Sequence, residues 1–288
     1  MGRVAIIGGS GINESSLFKG LELKSIDTKF CRDGSGLVEY VERTDGTVFI
    51  KRHGYCEHHG PSCSQYAANI IAAAKLGCEV IIATSAVGSL NKKIKPGSVV
   101  IVSDYVDESL RKDNLYGQGI TVHLNPRPPF SPQVRSILLS SAKSIEDHVE
   151  AVVNGGVYVC IPGDRFGTAA EGRKRAKYAD IVGMTVCPEA CMAQQLGIHY
   201  AAVACVVDAD ADANHSGKTV AMMKAFSDPK VLPEMLEIAV KKAKRLAANP
   251  PLFHKRVLHG NIISGSLDRI SNDILSERAE LIIKRYAA

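Results

Sequence analysis

What most constrains the fold of this chain is a recurring pattern of short runs rich in Val and Ile, apolar at consecutive positions and bounded by turn residues. They are Val4–Ile7, Val48–Lys51, Val80–Ala83, Ser98–Val102, Val157–Ile161, Ile181–Met184 and Tyr200–Val207. Successive side chains of a strand point to opposite faces, so such a run reads as a strand buried on both faces. Between several of them lie segments with helical spacing: Ser64–Leu76, Ser131–His148, Glu171–Tyr178 and Pro188–Leu196. Strands alternating with helices predict an α/β fold with a largely buried central sheet. After Val207 the pattern turns helical and charged, from about Thr219 to Asn249 and again from Ser264 to Tyr286, with Pro250-Pro251 as a helix stop between them. No Gly/Ser-rich linker and no repeat at solenoid spacing divides the 288 residues. The expectation is one α/β domain over 1–288, with a helical C-terminal part over about 219–288.

Composition then narrows the classes of function. The chain is 45% hydrophobic, yet no stretch approaches the roughly 18 apolar residues of a membrane-spanning helix. The opening Met1-Gly2-Arg3-Val4-Ala5-Ile6-Ile7-Gly8 reads as a strand entering a glycine loop, not as a signal peptide, so a cytoplasmic location is expected. The same strand reading argues against myristoylation at Gly2. Net charge is +5, with much of the excess at Lys241, Lys242, Lys244, Arg245, Lys255 and Arg256. That is a solvated helix face without interleaved aromatics, which argues against nucleic acid as a partner; a mild positive field suits a small anionic substrate. Cys78, Cys160, Cys187, Cys191 and Cys205 sit beside Val, Ile, Ala or Met, as buried thiols do. Cys187 and Cys191 share a helix face, but a metal there needs two more soft ligands, and no second Cys/His cluster at zinc spacing follows. No metal is expected.

Several strand ends carry residues suited to chemistry. Gly8-Gly9-Ser10-Gly11 follows the first strand; its glycines let backbone N–H groups approach an anion, and Ser10 adds a donor. It lacks both the dinucleotide spacing and the Walker lysine, and a plain tight turn explains it equally well. Arg52-His53-Gly54 follows the second run and would offer forked, permanently charged donors to an oxyanion. Thr84-Ser85-Ala86-Val87-Gly88-Ser89 places small hydroxyls past a third, at the kind of crevice where α/β proteins bind ligands. Met184-Thr185 leads into Pro188-Glu189. Asp208 and Asp210 leave the last run at i and i+2, and a half-buried carboxyl beside another is one that can hold a proton for general-acid work. The Asp-x-Asp-x-Asp start of a calcium loop is present through Asp212, but Ala213 and Thr219 stand where its glycine and bidentate glutamate belong.

Taken in order, Ile6–Gly11, Arg52-His53-Gly54, Ala83–Leu90, Gly163-Asp164-Arg165-Phe166, Gly183-Met184-Thr185 with Pro188-Glu189, and Asp208-Ala209-Asp210 resemble the trimeric purine nucleoside phosphorylase family, most closely its 5′-methylthioadenosine branch. The resemblance runs from residue 3 to about residue 245. It implies an α/β/α homotrimer that cleaves purine nucleosides with inorganic phosphate as co-substrate and uses no metal or organic cofactor. It implies a phosphate site of Ser10, Arg52, His53, Ser85, Ala86 and Thr185. It also implies a base pocket with Phe166 stacking and Asp208 and Asp210 at the base edge, Met184 under the ribose, and His123 reaching a neighbouring subunit's 5′ pocket.

An acid at 208 favours adenine, because the 6-oxopurine branches carry Asn there. A phosphorylase of inosine, guanosine or methylthioinosine is therefore the second reading. A hydrolytic nucleosidase would not need Arg52 beside His53, and an inactive nucleoside-binding homologue would not need to keep Arg52 and Asp208. The chain departs from the family pattern at Glu57, where His is common, at Asp164 and Gly167, where Pro and Ser are usual, and at Val207 and Ala209, where Thr and an aromatic are usual.

Overall fold

The computed structural model describes residues 2–9, 12, 15–29, 37–56, 58–115, 120–209, 219–251 and 263–265. In chain order the first half holds β1 (Arg3–Gly8), β2 (Leu23–Asp27), β3 (Leu37–Glu42), β4 (Val48–Lys51), α1 (Tyr66–Lys75), β5 (Cys78–Ser89), β6 (Val99–Ile101), β7 (Asp104–Asp107) and β8 (Ile120–Val122). The second half holds α2 (Pro132–Ala142), β9 (Val152–Asn154), β10 (Val157–Cys160), α3 (Ala169–Arg175), β11 (Ile181–Gly183), α4 (Val186–Gln195), β12 (His199–Ala209), α5 (Thr219–Phe226), α6 (Leu232–Ala248) and β13 (Ile263–Gly265).

The expected buried runs all become strands of one mixed, 11-stranded sheet with the path β2-β3-β4-β1-β5-β11-β10-β7, onto which β12, β6 and β9 branch from β5. Of the strands that sequence pattern passed over, β3 is an inner strand between β2 and β4, whereas β2 and β7 lie at the two ends of the path. β2 and β7 are largely exposed and so show no apolar run. Helix ends follow local chemistry. Ser131 caps α2 by accepting from the Val134 N–H, with Pro132 in the first turn; Thr168 and Glu171 form a reciprocal capping box on α3. In α6 the buried Leu232, Met235, Leu236, Ala239, Val240, Ala243 and Ala247 recur every three or four residues, one stripe laid on the core.

The C-terminal part differs from expectation at two points. Thr219–Asn249 is two helices, broken at Ser227-Asp228-Pro229, because proline cannot supply the helical N–H. Ile263–Gly265, at the start of the second expected helical segment, is instead a strand paired antiparallel with β8, Ser264 opposite Thr121. Residues 266–286 lie outside the described residues.

The arrangement around β5 positions the site. β12 runs along one of its edges from Val80 to Ser89. The other edge is shared: β1 pairs in parallel as far as Ala83, and β11 arrives antiparallel at Val182↔Gly88 and Ile181↔Ser89. Residues 84–87 lie between these two partners. The strand therefore does not end at Ala83, as its apolar run suggests, but continues through the hydroxyl segment, where among the described residues β12 is its only ladder partner.

Candidate active site

That gap in the sheet opens onto a cavity of ≈ 240 Å³. Gly9 reaches it from the end of β1, Arg52 and His53 from the end of β4, Ser85, Ala86 and Gly88 from within β5, Met184 and Thr185 from the end of β11, and Asp208 from β12. Ile161, Phe166, Gly167, Val182, Val207 and Met223 supply apolar and backbone walls. The expected convergence of strand ends is thus present for Arg52, His53, Ser85, Ala86, Thr185, Phe166, Met184 and Asp208. His123 is exposed and does not line the cavity among the described residues. Ser10, Asp210 and Glu57 lie outside them.

Arg52 differs from the open clamp its sequence context suggests. It is 2% exposed, and its fork is turned away to Glu189: Nε donates to Oε1 at 2.5 Å and Nη2 to Oε2 at 3.0 Å. Nη2 also donates to the Ile7 carbonyl at 3.3 Å and Nη1 to the Thr84 carbonyl at 2.8 Å. Tyr200 donates its hydroxyl to Glu189 Oε2 at 2.9 Å, so the carboxylate accepts three bonds. Burial alone would weaken the guanidinium's hold on its proton; the charge and hydrogen bonds of Glu189 outweigh it, and Arg52 stays cationic. A guanidinium has five N–H groups, so Nη1 retains a second one. That edge faces the turn at Gly9, where a Cβ would come within 3.3 Å of Nη1 and 3.2 Å of His53 Nε2. Glycine at this position keeps that space clear of a side chain.

His53 is neutral near pH 7. Burial first, then the positive charge of Arg52, push it down to about 4. Its Nδ1 lies 2.8 Å from the His59 carbonyl and 2.8 Å from Ser64 Oγ. A carbonyl can only accept, so Nδ1 carries the proton and Nε2 presents a lone pair. Beyond it, Ser85 Oγ sits 3.2 Å from Thr185 Oγ1 and 3.1 Å from Tyr158 Oη, which also accepts from the Thr185 N–H at 3.2 Å. The carbonyls of Met184 and Cys187 each accept from Arg111 Nη1 at 2.7 Å, which holds the turn between β11 and α4. Sequence reasoning did not single out Tyr158 or Arg111, and it named Glu189 only within a motif. Tyr158 had a faint signal: Gly183, on the neighbouring strand, leaves no room for a Cβ against its hydroxyl.

Asp208 is 5% exposed at the wall opposite the cationic corner's strands. It points in because β12 bulges: Val206 pairs with Val87 and Asp208 with Gly88, so Val207 is one residue too many. The bulge lets consecutive side chains, Val207 and Asp208, both line the cavity, where a regular strand would alternate them. Phe166 stands at the rim, 58% exposed. A cation, small hydroxyls, glycine turns and a buried carboxyl on apolar walls suit a tetrahedral anion beside a flat, polar-edged ring.

A sequence model of the family described as the phosphorylase superfamily matches residues 3–249. The chain belongs to that superfamily. It is 37% identical over 215 residues to the S-methyl-5′-thioadenosine phosphorylase of Pyrococcus horikoshii, covering 73% of this chain and 80% of that one. It is also 35% identical over 217 residues to a probable 6-oxopurine nucleoside phosphorylase of Thermococcus kodakarensis, covering 72% and 79%. Among solved structures, a methylthioadenosine phosphorylase from an antarctic soil metagenomic library superposes with a TM-score of 0.78 at 28% identity, over 96% of this chain and 98% of that one. The phosphorylase fold and the family resemblance drawn from sequence agree. The chain is a nucleoside phosphorylase, an enzyme that transfers a pentosyl group.

Proposed function

We propose that this phosphorylase cleaves 5′-methylthioadenosine with inorganic phosphate, giving adenine and 5-methylthioribose 1-phosphate. The observation that carries the reading is the buried carboxyl of Asp208 on the cavity wall, where a 6-oxopurine enzyme would need an amide. Phosphate would sit between Gly9, the remaining N–H of Arg52, His53 and the Ser85–Thr185 hydroxyl pair, with Ser10 and the Ala86 backbone completing the set. A phosphate oxygen forms the new bond to C1′ as the bond from C1′ to N9 breaks, through a state with oxocarbenium character. The bound anion stabilises the developing positive charge from one face. The electron pair of the broken bond goes to the purine, and a protonated Asp208 would donate to N7 so that the base leaves neutral. Asp210 would accept from the 6-amino group, Met184 would lie under the ribose and Phe166 would stack on the base.

Phosphate is the co-substrate and the chemistry calls for no metal or organic cofactor. The homotrimer follows from the family resemblance, and in it a neighbouring subunit, His123 included, would cover the exposed Phe166 and Val220 and close the mouth. No helix among the described residues is long and apolar enough to cross a membrane. A cytoplasmic enzyme of purine and methionine salvage fits the proposed substrate.

The test is release of free base from methylthioadenosine, adenosine and inosine, each with and without phosphate. The expected result is phosphate-dependent adenine release from methylthioadenosine with inosine inert. Phosphate-dependent hypoxanthine release would keep the reaction and refute the Asp208 argument, and no base release at all would refute phosphorolysis.

A further inference from the structure

Outside the cavity, where the chain turns from β11 into α4, a second set of reactive side chains meets. Asp107 ends β7 and Cys160 ends β10, and the two are direct partners in the parallel ladder. Neighbouring residues in such a register project on the same face. Cys187 joins them from the first turn of α4, and one ligand atom from each of the three lies within 4.8 Å of the others. Both thiols are buried, whereas Asp107 is exposed and leaves a path from solvent. The Ser109 N–H donates to Asp107 Oδ1 at 2.7 Å and orients the carboxylate.

We propose that Asp107, Cys160 and Cys187 form a binding site for one thiophilic divalent cation of the zinc class. Two thiolates and a carboxylate are the donors such an ion selects, with water in the fourth, solvent-facing position. Tetrahedral zinc–sulfur geometry needs ligand atoms about 3.8 Å apart, so the side chains close by no more than about 1 Å to hold it. On binding, the two S–H bonds break, two protons leave to solvent, and two metal–sulfur bonds and one metal–oxygen bond form with no change of oxidation state. Three negative ligands exceed the ion's two positive charges by one. Arg111 offsets it, its Nη1 standing 3.9 Å from Cys160 Sγ. Because both thiols must lose their protons to bind the ion, affinity rises with pH. The site is separate from the proposed nucleoside chemistry and does not depend on it.

The probes are Co²⁺ and Zn²⁺, titrated into the reduced, chelator-stripped full chain. Co²⁺ is read by its thiolate charge-transfer band, Zn²⁺ by competition with a chromophoric chelator. One equivalent of each is expected to bind. Cys160→Ser and Cys187→Ser should abolish the cobalt band, and Asp107→Asn should weaken zinc binding by at least about tenfold. Cys56→Ser and Cys63→Ser, at exposed positions, should leave both readouts unchanged. Absence of the band, a band that follows Cys56 or Cys63, or zinc affinity indifferent to Asp107→Asn would overturn the proposal. Because Asp107 is exposed, that variant decides the matter even if a buried cysteine variant fails to fold.

Discussion

Replacing Glu189 with Gln tests whether the pair it forms with Arg52 is as enclosed as the structure has it. The side chains are 1% and 0% exposed, and the carboxylate accepts from Arg52 Nε at 2.5 Å, from Nη2 at 3.0 Å and from the Tyr200 hydroxyl at 2.9 Å. An amide of the same shape keeps one acceptor and turns its NH₂ toward donors, leaving a guanidinium charge buried without a counter-charge. Removing one partner of a buried pair costs about 3–5 kcal/mol. With an unfolding entropy of about 2.1 cal/mol/K per residue over 288 residues, that loss lowers the melting temperature by about 5–8 °C. The assay is thermal unfolding followed by calorimetry and circular dichroism, with phosphate and without. A second variant separates stability from chemistry. Arg52→Met combined with Glu189→Leu removes both charges, so it should recover most of the lost stability while losing phosphorolysis with the Arg52 guanidinium. If Glu189→Gln melts within about 1 °C of the parent, the pair is hydrated and the reasoning is wrong.

His53 has its proton affinity depressed to about 4 in the folded chain against about 6.5 unfolded, so its contribution is complete above about pH 6.5 and is lost as pH falls toward 4. The loss amounts to about 3 kcal/mol, and His53→Gln should flatten urea-unfolding stability across that window; an unchanged slope would refute it. Gly183→Ala drives a methyl into the Tyr158 hydroxyl and displaces the Ser85–Thr185 pair. It should lower kcat/KM by about 100-fold, and Tyr158→Phe in the same chain should restore part of it. Asp208→Asn should raise the ratio of inosine to methylthioadenosine cleavage, since an amide both donates to N7 and accepts from a protonated 6-oxopurine ring; an unmoved ratio places base selection elsewhere.

Much of the fold was legible because burial leaves a local mark. A strand covered on both faces must be apolar at consecutive positions, so β1, β4, β10 and β11 stood out without any knowledge of their partners. β2 and β7 carry no such mark, since exposed strands owe their state to a neighbour's edge and not to their own side chains. The pieces proposed to hold the anion stood out for a related reason. Glycines and small hydroxyls after buried runs are costly unless backbone must come close to something, and Gly9, Ser85 and Thr185 do line one cavity.

What the sequence determined by itself, then, is which segments are buried and which residue types end them. Who meets whom was decided only in three dimensions. Arg52 and Glu189 are 137 residues apart, and no local pattern says that the arginine's fork is spent inside the protein. The orientation of Asp208 depends on a bulge defined by the register of β12 against β5. The Cys187–Cys191 spacing lacked further ligands in sequence, whereas ladder register sets Asp107 beside Cys160 and the turn into α4 brings Cys187 to both. The physical reason is the same in each case: burial and turn chemistry act on a residue through its own side chain, but register and contact are properties of two distant segments at once.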